Sequence, residues 1–160
     1  MTNLRRIAAE LGLTNPRTYI ASGNLLFESD RPDAEVKRLL ETRLTEHTAK
    51  PVTLTLRTAE ELAAVVASNP FPNAPANRVY AAFLDESPPP GALTNHKHLT
   101  VEQVALGVRE IYVHYPDGMG RSRLAIPAAS RGTARNMNTV VTLAALAAET
   151  GMEPQTTRSA

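Results

Sequence analysis

The sequence predicts an α+β protein made of two small α/β plaits whose sheets are mostly antiparallel. Residues 17–29 carry two short β-prone runs around Ala-Ser-Gly-Asn, in which Gly23 and Asn24 suit the tight reversal of a hairpin. A helical pattern precedes this hairpin and another follows it, so both helices can cover one face of its sheet. The second half of the chain repeats the order of helix, two strands and helix. We therefore expect two related units.

Regular patterns account for the rest of the first half. Apolar residues three and four apart predict a helix over residues 4–11, which Gly12 ends. A serine-aspartate cap and a helix-start proline, Pro32, precede a second apolar stripe over residues 36–44. Residues 52–57 alternate between apolar and threonine side chains, which predicts a strand with one face in the core.

The boundary between the units is predicted from a run of prolines and asparagines. Thr58 has the pattern of a helix cap, and the third helix should end near Ser68, before this run begins. We predict a first unit over residues 1–72, a second over residues 73–150 and a loose polar tail over residues 151–160.

The second unit has the pattern of a strand, a hairpin and a closing helix. The apolar run at residues 79–84 is typical of an inner strand, and the runs at 99–105 and 110–115 predict a second hairpin. A helix is predicted over residues 138–148 with its apolar stripe inward. That stripe consists of Val140, Val141, Leu143, Leu146 and Ala147.

Composition argues against several classes of function. The 160 residues carry 17 basic and 16 acidic side chains without a long basic run, which argues against a general nucleic-acid coat. Because cysteine is absent, disulfides, thiolate catalysis and sulfur-ligated zinc are excluded. The chain has no signal-peptide pattern and no apolar window approaching about 18 residues. We therefore expect a soluble cytoplasmic protein without a membrane span, and the Ala, Arg and Pro content suggests a bacterial source.

Five segments resemble the bacterial family known as domain of unknown function 1697 (DUF1697). They are AELGL with RTYIASGNLLF in the first unit, then NPFP (69–72), PDGMGRSRL (116–124) and TARNMNT (133–139). The resemblance spans about residues 4–149. It implies a pair of ferredoxin-like units and no assigned reaction.

Three departures from the family pattern border the loop 117–123 and the segment 133–136, where we predict an anion site. The family's leading strand has no counterpart before Met1, the helix expected between Arg123 and Thr133 is cut short around Pro127, and Met137 stands where tryptophan is usual. In a ferredoxin-like unit the leading strand is an inner one. We therefore expect the strand at 52–57 and the 17–28 hairpin either to close on each other or to accept a strand from another chain, most plausibly in a homodimer.

The strongest candidate site is the loop 117–123, because glycines let backbone N–H groups converge while arginines and a hydroxyl offer anion donors. The ligand-binding candidates here are Gly118, Gly120, Arg121, Ser122 and Arg123. The loop matches neither a P-loop nor a dinucleotide fingerprint. An ordinary glycine turn with solvated arginines is the alternative.

Two further polar groups are candidates for the same anion. Thr133, Arg135 and Asn136 precede the closing helix, whose N-terminus favours negative charge, although a simple cap is equally consistent. Arg17, Ser22 and Asn24 surround the first hairpin turn, where an ordinary turn is the alternative.

Three functions follow from these candidates. The first is a module that binds an anionic, phosphate- or nucleotide-like ligand between the two halves through Arg121, Arg123 and Arg135. The second is self-association or partner binding without a small ligand. The third is an enzyme with His114 or Tyr112 as acid or base, although a solvent-facing strand histidine is the simpler interpretation. No cofactor or metal is expected, because the histidines lack a third ligand at recognisable spacing.

Overall fold

The computed structural model describes residues 2–19, 24–52, 54–130, 132–149 and 157–159 of an α+β protein with antiparallel sheets. The α-helices of this part of the chain are α1 (Thr2–Glu10), α2 (Asp33–Thr48), α3 (Ala59–Ala67) and α4 (Met137–Ala148). The strands are β1 (Thr14–Tyr19), β2 (Asn24–Glu28), β3 (Val79–Phe83), β4 (Gln103–Leu106), β5 (Glu110–His114), β6 (Thr133–Asn136) and β7 (Thr157–Ser159).

The chain divides into two compact units. The first contains Met1–Ala63 together with Leu143–Ala160, and the second contains residues 64–142. The borders therefore fall within α3 and within α4. None of the described helices is both long and apolar enough to cross a membrane.

The first sheet begins with the predicted hairpin. β1 and β2 pair antiparallel from Thr14 opposite Glu28 to Tyr19 opposite Asn24, while the turn itself lies outside the described residues. The core on this sheet consists of Ala8, Leu13, Leu25, Phe27, Val36, Leu40 and Leu56. Both helix patterns that flank the hairpin thus contribute to one core, as predicted.

The ends of the first two helices show how local chemistry sets them. The backbone at Gly12 has a φ of 83°, and the N–H groups of Gly12 and Leu13 donate to the carbonyls of Ala9 and Ala8. At α2 the prediction is wrong in detail, because Pro32 precedes the helix rather than opening it, and no side chain caps that end. The Ser29 hydroxyl instead accepts the N–H of Arg31 at 3.1 Å.

Residues 54–57 do not form the predicted strand, because no neighbouring strand offers them a ladder in the described part of the chain. Side chains of α2 satisfy part of this backbone instead. The N–H of Leu54 donates to Glu41 Oε2 at 2.7 Å, and the N–H of Val52 donates to Thr45 Oγ1 at 3.1 Å. The alternating pattern therefore belongs to a segment that is bonded to side chains of a helix rather than to a strand.

The outer edge of β2 is paired with β7, which comes from the predicted loose tail. Leu26 lies opposite Ser159 and Glu28 opposite Thr157, in antiparallel register. The polar composition of the tail predicted no strand, but the edge of β2 carries backbone N–H and C=O groups that need partners. A homodimer through this edge stays a prediction, and it would have to displace β7.

The second unit is built on a sheet of order β4-β5-β3-β6. β3 is an inner strand, and β4 and β5 form the predicted hairpin, with Gln103 opposite His114 and Leu106 opposite Ile111. One face of this sheet carries a second core of Ala82, Leu84, Ala92, Ile111, Val113 and Ile126. Loops and single 3₁₀ turns cover this face, including Pro127–Ala129.

The capping of α3 follows its prediction, and the buried stripe of α4 follows its prediction with one correction. Thr58 and Glu61 form a reciprocal capping box, with the Thr58 N–H donating to the carboxylate at 2.7 Å and the Glu61 N–H donating to the hydroxyl at 3.0 Å. In α4, Val140, Leu143 and Ala147 are buried, but Val141 is 46% exposed and does not belong to the inward stripe.

Candidate functional site

The loop at 117–123 is a tight turn whose backbone bonds are largely internal. Gly118 has a φ of 91°, a backbone conformation that strains other residues, so the turn favours glycine at this position. The N–H of Gly118 donates to the carbonyl of Tyr115, and that of Ser122 donates to the carbonyl of Met119. The N–H groups of Gly118, Arg121 and Ser122 thus close the turn, and a convergence of the loop amides on an anion stays a prediction.

Ser122 contributes its hydroxyl to a structural cluster. Its Oγ donates to Glu102 Oε2 at 3.1 Å and accepts the N–H of Leu124 at 3.1 Å. The backbone N–H of Thr100 is the main cause of the lowered pKa of Glu102; burial opposes it and the Ser122 hydroxyl adds to it. A carboxylate that is held ionised beside Ser122 competes with any anion there.

The three candidate arginines differ in environment. Arg121 and Arg123 are exposed, and the described residues give neither side chain a hydrogen-bond or ion-pair partner. Arg135 is half-buried in β6, donates to the carbonyl of Ala134 at 2.9 Å, and has a pKa lowered by burial. Because successive strand residues point to opposite faces, Arg135 belongs to the sheet face opposite that of Ala134.

Several of the other polar candidates make hydrogen bonds to the backbone of the protein. Asn136 Oδ1 accepts the N–H of Thr139 at 2.9 Å, which makes Asn136 the cap of α4, and Thr133 is half-buried in the β6 ladder. In the first unit, Arg17 donates to the carbonyl of Leu146 at 3.1 Å, and the buried Asn24 donates to the carbonyl of Tyr19 at 3.1 Å. Ser22 lies outside the described residues. A Cβ placed on Gly120 would have no described heavy atom within 4 Å beyond its chain neighbours.

Tyr112 and His114 share a sheet face, as predicted, and a catalytic role for either stays a prediction. The Tyr112 hydroxyl is buried and donates to the carbonyl of Val65 at 2.9 Å, and burial raises its pKa to about 12. His114 Nδ1 lies 3.3 Å from Gln103 Oε1, and its ring stacks at 5.7 Å on Phe71. Within the described residues no three His, Asp or Glu side chains are grouped as metal ligands would be.

The more favourable site is a pocket of about 380 Å³ on the loop-covered face of the second sheet. Strand residues form its floor, and residues 124–130 together with Lys97 form its wall. Its lining is Tyr80, Ala82, Lys97, Val113, Tyr115, Leu124, Ala125, Ile126, Pro127, Ala129, Ser130 and Ala134. None of the predicted site residues belongs to this lining.

Two tyrosines and one lysine supply the polarity of this pocket. The rings of Tyr80 and Tyr115 meet edge to face at 5.5 Å. Burial raises the pKa of Tyr115, with smaller contributions from Glu102 and Tyr80, so its hydroxyl stays a proton donor at neutral pH. Lys97 is exposed, and reciprocal backbone bonds with Ala125, each 2.9 Å long, fix its main chain. Across the described ranges, Lys97 has no acidic partner.

Sequence reasoning missed this pocket, although two signals for it were present. Tyr80 and Ala82 are two residues apart on one strand, as are Val113 and Tyr115 at the next strand. Since Tyr80 lies opposite Val113, all four belong to one sheet face. Pro127 opens a single 3₁₀ turn, Pro127–Ala129, in the segment that lies over that face. A strand face with tyrosines under an incomplete cover is the pattern that indicates a pocket.

The fold and the pocket define an α+β protein of two antiparallel sheets with a ligand-sized cavity on one of them. The chain belongs to the family described as Protein of unknown function (DUF1697), whose model matches residues 1–112. It is similar in structure to conserved bacterial protein SP0830 from Streptococcus pneumoniae, with a TM-score of 0.76 at 23% sequence identity, over 92% of this chain and 88% of that chain. This likeness shows the fold. No curated protein matches the sequence.

Proposed function

We propose that the protein is a binding module for a small amphipathic anion that has an apolar or aromatic body and one carboxylate or phosphate group. The observation that carries the proposal is the pocket of about 380 Å³, whose lining is mainly apolar and includes Lys97, a residue without an acidic partner among the described residues. Ligand pockets in proteins typically hold about 300 to 1,000 Å³ and combine apolar walls with a few polar groups.

The size and lining of the pocket favour a ligand with an apolar or aromatic body. Ala82, Val113, Leu124 and Ile126 offer apolar contact, while the edge of the Tyr80 and Tyr115 pair offers an aromatic surface. A bare phosphate would leave these surfaces uncovered. We therefore expect an organic anion rather than an inorganic one.

Lys97 favours negative charge on the ligand. Its main chain is fixed by the Ala125 bonds, Lys97 is the charged residue among those that line the pocket, and the described residues give it no acidic partner. The two tyrosine hydroxyls also lack a hydrogen-bond partner among the described residues and can donate to the same anion. Lys97 thus takes the role that the sequence suggested for Arg121, Arg123 and Arg135.

Calorimetric titration with matched pairs of compounds tests the proposal. Aryl and alkyl carboxylates and phosphate monoesters are compared with their neutral amides or alcohols. We expect the anions to bind more tightly, and we expect Lys97→Gln to lower their affinity by about fivefold, which corresponds to about 1 kcal/mol for a solvent-exposed ion pair. Lys50→Gln, which removes an exposed lysine from the first unit, is the matched control.

A second variant tests the location. Ala134 lines the pocket but is exposed, so Ala134→Trp should fill the pocket without disturbing the core and should abolish binding. Equal binding of an acid and its amide, or binding that Ala134→Trp leaves unchanged, would count against the proposal.

We also propose that both units are ferredoxin-like plaits. The order β4-β5-β3-β6 supports this for the second unit, because a β-α-β-β-α-β plait has its first strand inside, between the third and the fourth. The 3₁₀ turns Met119–Arg121 and Pro127–Ala129 would then stand for its second helix. In the first unit, β7 would occupy the place of the inner leading strand beside β2. An experimental structure with a further strand between β3 and β6 would contradict the assignment.

A further inference from the structure

The free edge of β4 is the most exposed apolar part of the second unit. β4 is an edge strand of the sheet, and large apolar side chains cluster along it and its flanks. Val101 is 55% exposed, Leu106 is 50% exposed and Val108 is 80% exposed, and these are three of the five such residues in the described chain.

The two edges of this sheet differ in their protection against pairing. Natural sheets guard their edges with charged residues, prolines or bulges. β6, at one edge, carries Arg135, whereas β4, at the other, reads Gln-Val-Ala-Leu and carries neither charge nor proline. The β4 edge is therefore open to a further strand.

The hydrogen bonds of the hairpin determine which backbone groups of β4 face outward. The N–H of Gly107 donates to the carbonyl of Glu110 at 2.7 Å, so Gly107 faces β5. Because the direction alternates along a strand, Ala105 and Gln103 also face β5, while Val104 and Leu106 present their N–H and carbonyl groups to the free edge. No hydrogen bond from these outward groups to other described residues is present.

We infer that the β4 edge pairs antiparallel with β4 of a second copy of this chain, with Ala105 on the two-fold axis. A two-fold axis perpendicular to a sheet keeps each face on the same side, so only residues of equal parity can lie opposite each other. An axis at Ala105 sets Val104 opposite Leu106 of the second copy, twice, and gives four new backbone hydrogen bonds.

The two neighbouring registers are less favourable. An axis at Leu106 would set Val104 opposite Val108 of the second copy, which lies beyond the end of β4. An axis at Val104 would set Leu106 opposite Glu102 of the second copy, and that carboxylate already accepts bonds from Thr100 and Ser122. The Ala105 register instead makes apolar cross-strand pairs, which stabilise antiparallel strands. The self-complementary pairs at Ala105 are the reason for choosing a second copy as the occupant.

Cysteine cross-linking tests this register directly, because the chain contains no cysteine of its own. Across a pair without hydrogen bonds the two Cα atoms stand about 4.5 Å apart, which suits a disulfide. We expect Ala105→Cys to form a disulfide-linked dimer under mild oxidation, while Val141→Cys, an exposed position on α4, should not. Cross-linking of Val104→Cys but not of Ala105→Cys would overturn the register.

Light scattering between about 1 and 100 µM chain tests the interface itself. The wild-type chain should dimerise, and Leu106→Pro should be monomeric, since proline removes an outward N–H that the fold of one copy does not use. Val141→Lys should leave the dimer intact, and circular dichroism should confirm that both variants fold. A wild-type chain that is monomeric throughout, or a dimer that Leu106→Pro does not affect, would overturn the inference.

Discussion

The two sheets of the molecule differ in what covers them. In the first unit α1 and α2 supply regular side-chain stripes, and Leu25, Phe27, Val36 and Leu40 are almost wholly inaccessible to solvent. In the second unit the face that carries Tyr80 and Tyr115 lies under loops and the short turn Pro127–Ala129, and a pocket remains there. Regular helices therefore close a core, whereas an irregular cover leaves a cavity that a ligand can use.

The largest expected effect comes from truncating one core residue in each unit. Phe27→Ala should cost about 3 to 5 kcal/mol, because Phe27 is enclosed by helices and the cavity cannot collapse easily. Ile126→Ala in the loop cover should cost about 2 kcal/mol, at the lower end of the range for such changes. Urea unfolding measures both, and an equal cost would remove the contrast between the two covers.

Removal of the Tyr112 hydroxyl should give the next largest loss of stability, and the contribution of this group should depend on pH. Tyr112→Phe leaves the buried carbonyl of Val65 without its partner, which should cost about 1 to 3 kcal/mol. Burial raises the pKa of Tyr112 from 10.0 to about 12, so the unfolded chain loses this proton first. The stability from this group is therefore complete below pH 10 and is lost as the pH rises toward about 12.

Thermal unfolding at pH 9 and pH 11 checks the sign. The melting temperature of the wild-type chain should fall over this interval, and that of Tyr112→Phe should fall less. Tyr115, whose pKa is also raised, contributes to the remaining fall, so Tyr115→Phe serves as the comparison. A larger fall in Tyr112→Phe than in the wild type would show that the hydroxyl is not protected by burial.

A smaller and more local effect is expected from removing β7. Deletion of residues 157–160 frees the edge of β2, where Leu26, Phe27 and Glu28 pair with the tail. Because the N–H direction alternates along a strand and β1 pairs with the other side of β2, hydrogen exchange should accelerate only for those of these amides that point toward β7, while exchange in β3 should not change. Unchanged protection throughout β2 would mean that β7 contributes no stability to the first sheet.

Features that depend on neighbouring residues in the sequence were predictable. The capping box of Thr58 and Glu61 and both hairpins follow from local chemistry, and the inner position of β3 follows from its apolar run. Features that depend on a distant partner were not. Residues 54–57 alternate like a strand but lack a neighbouring strand, whereas the polar residues 157–159 form a strand because β2 offers an edge.

The candidate site was harder to predict for the same reason. Glycines and arginines at 117–123 resemble an anion loop, but the Ser122 hydroxyl donates to Glu102, which lies 20 positions earlier in the chain. The pocket requires the loop at 124–130 to lie over Tyr80 and Val113, and no spacing along the chain encodes that contact. Motifs identified the segments around the pocket but not the side chains that line it.

The smallest expected effect separates the pocket from the glycine-rich loop. Arg121 and Arg123 are exposed and have no partner in the described ranges, so the double change to glutamine should alter stability by no more than about 0.5 kcal/mol. Its effect on the binding of an organic anion should be about twofold at most, because solvent and salt screen charges that do not line the pocket. Calorimetry of the double variant beside Lys97→Gln makes the comparison, and Arg38→Gln on the exposed side of α2 controls for the loss of one positive charge. If the double variant abolishes binding while Lys97→Gln does not change it, the anion lies on the glycine-rich loop that the sequence suggested. If the order is the reverse, the ligand lies in the pocket under the incomplete cover.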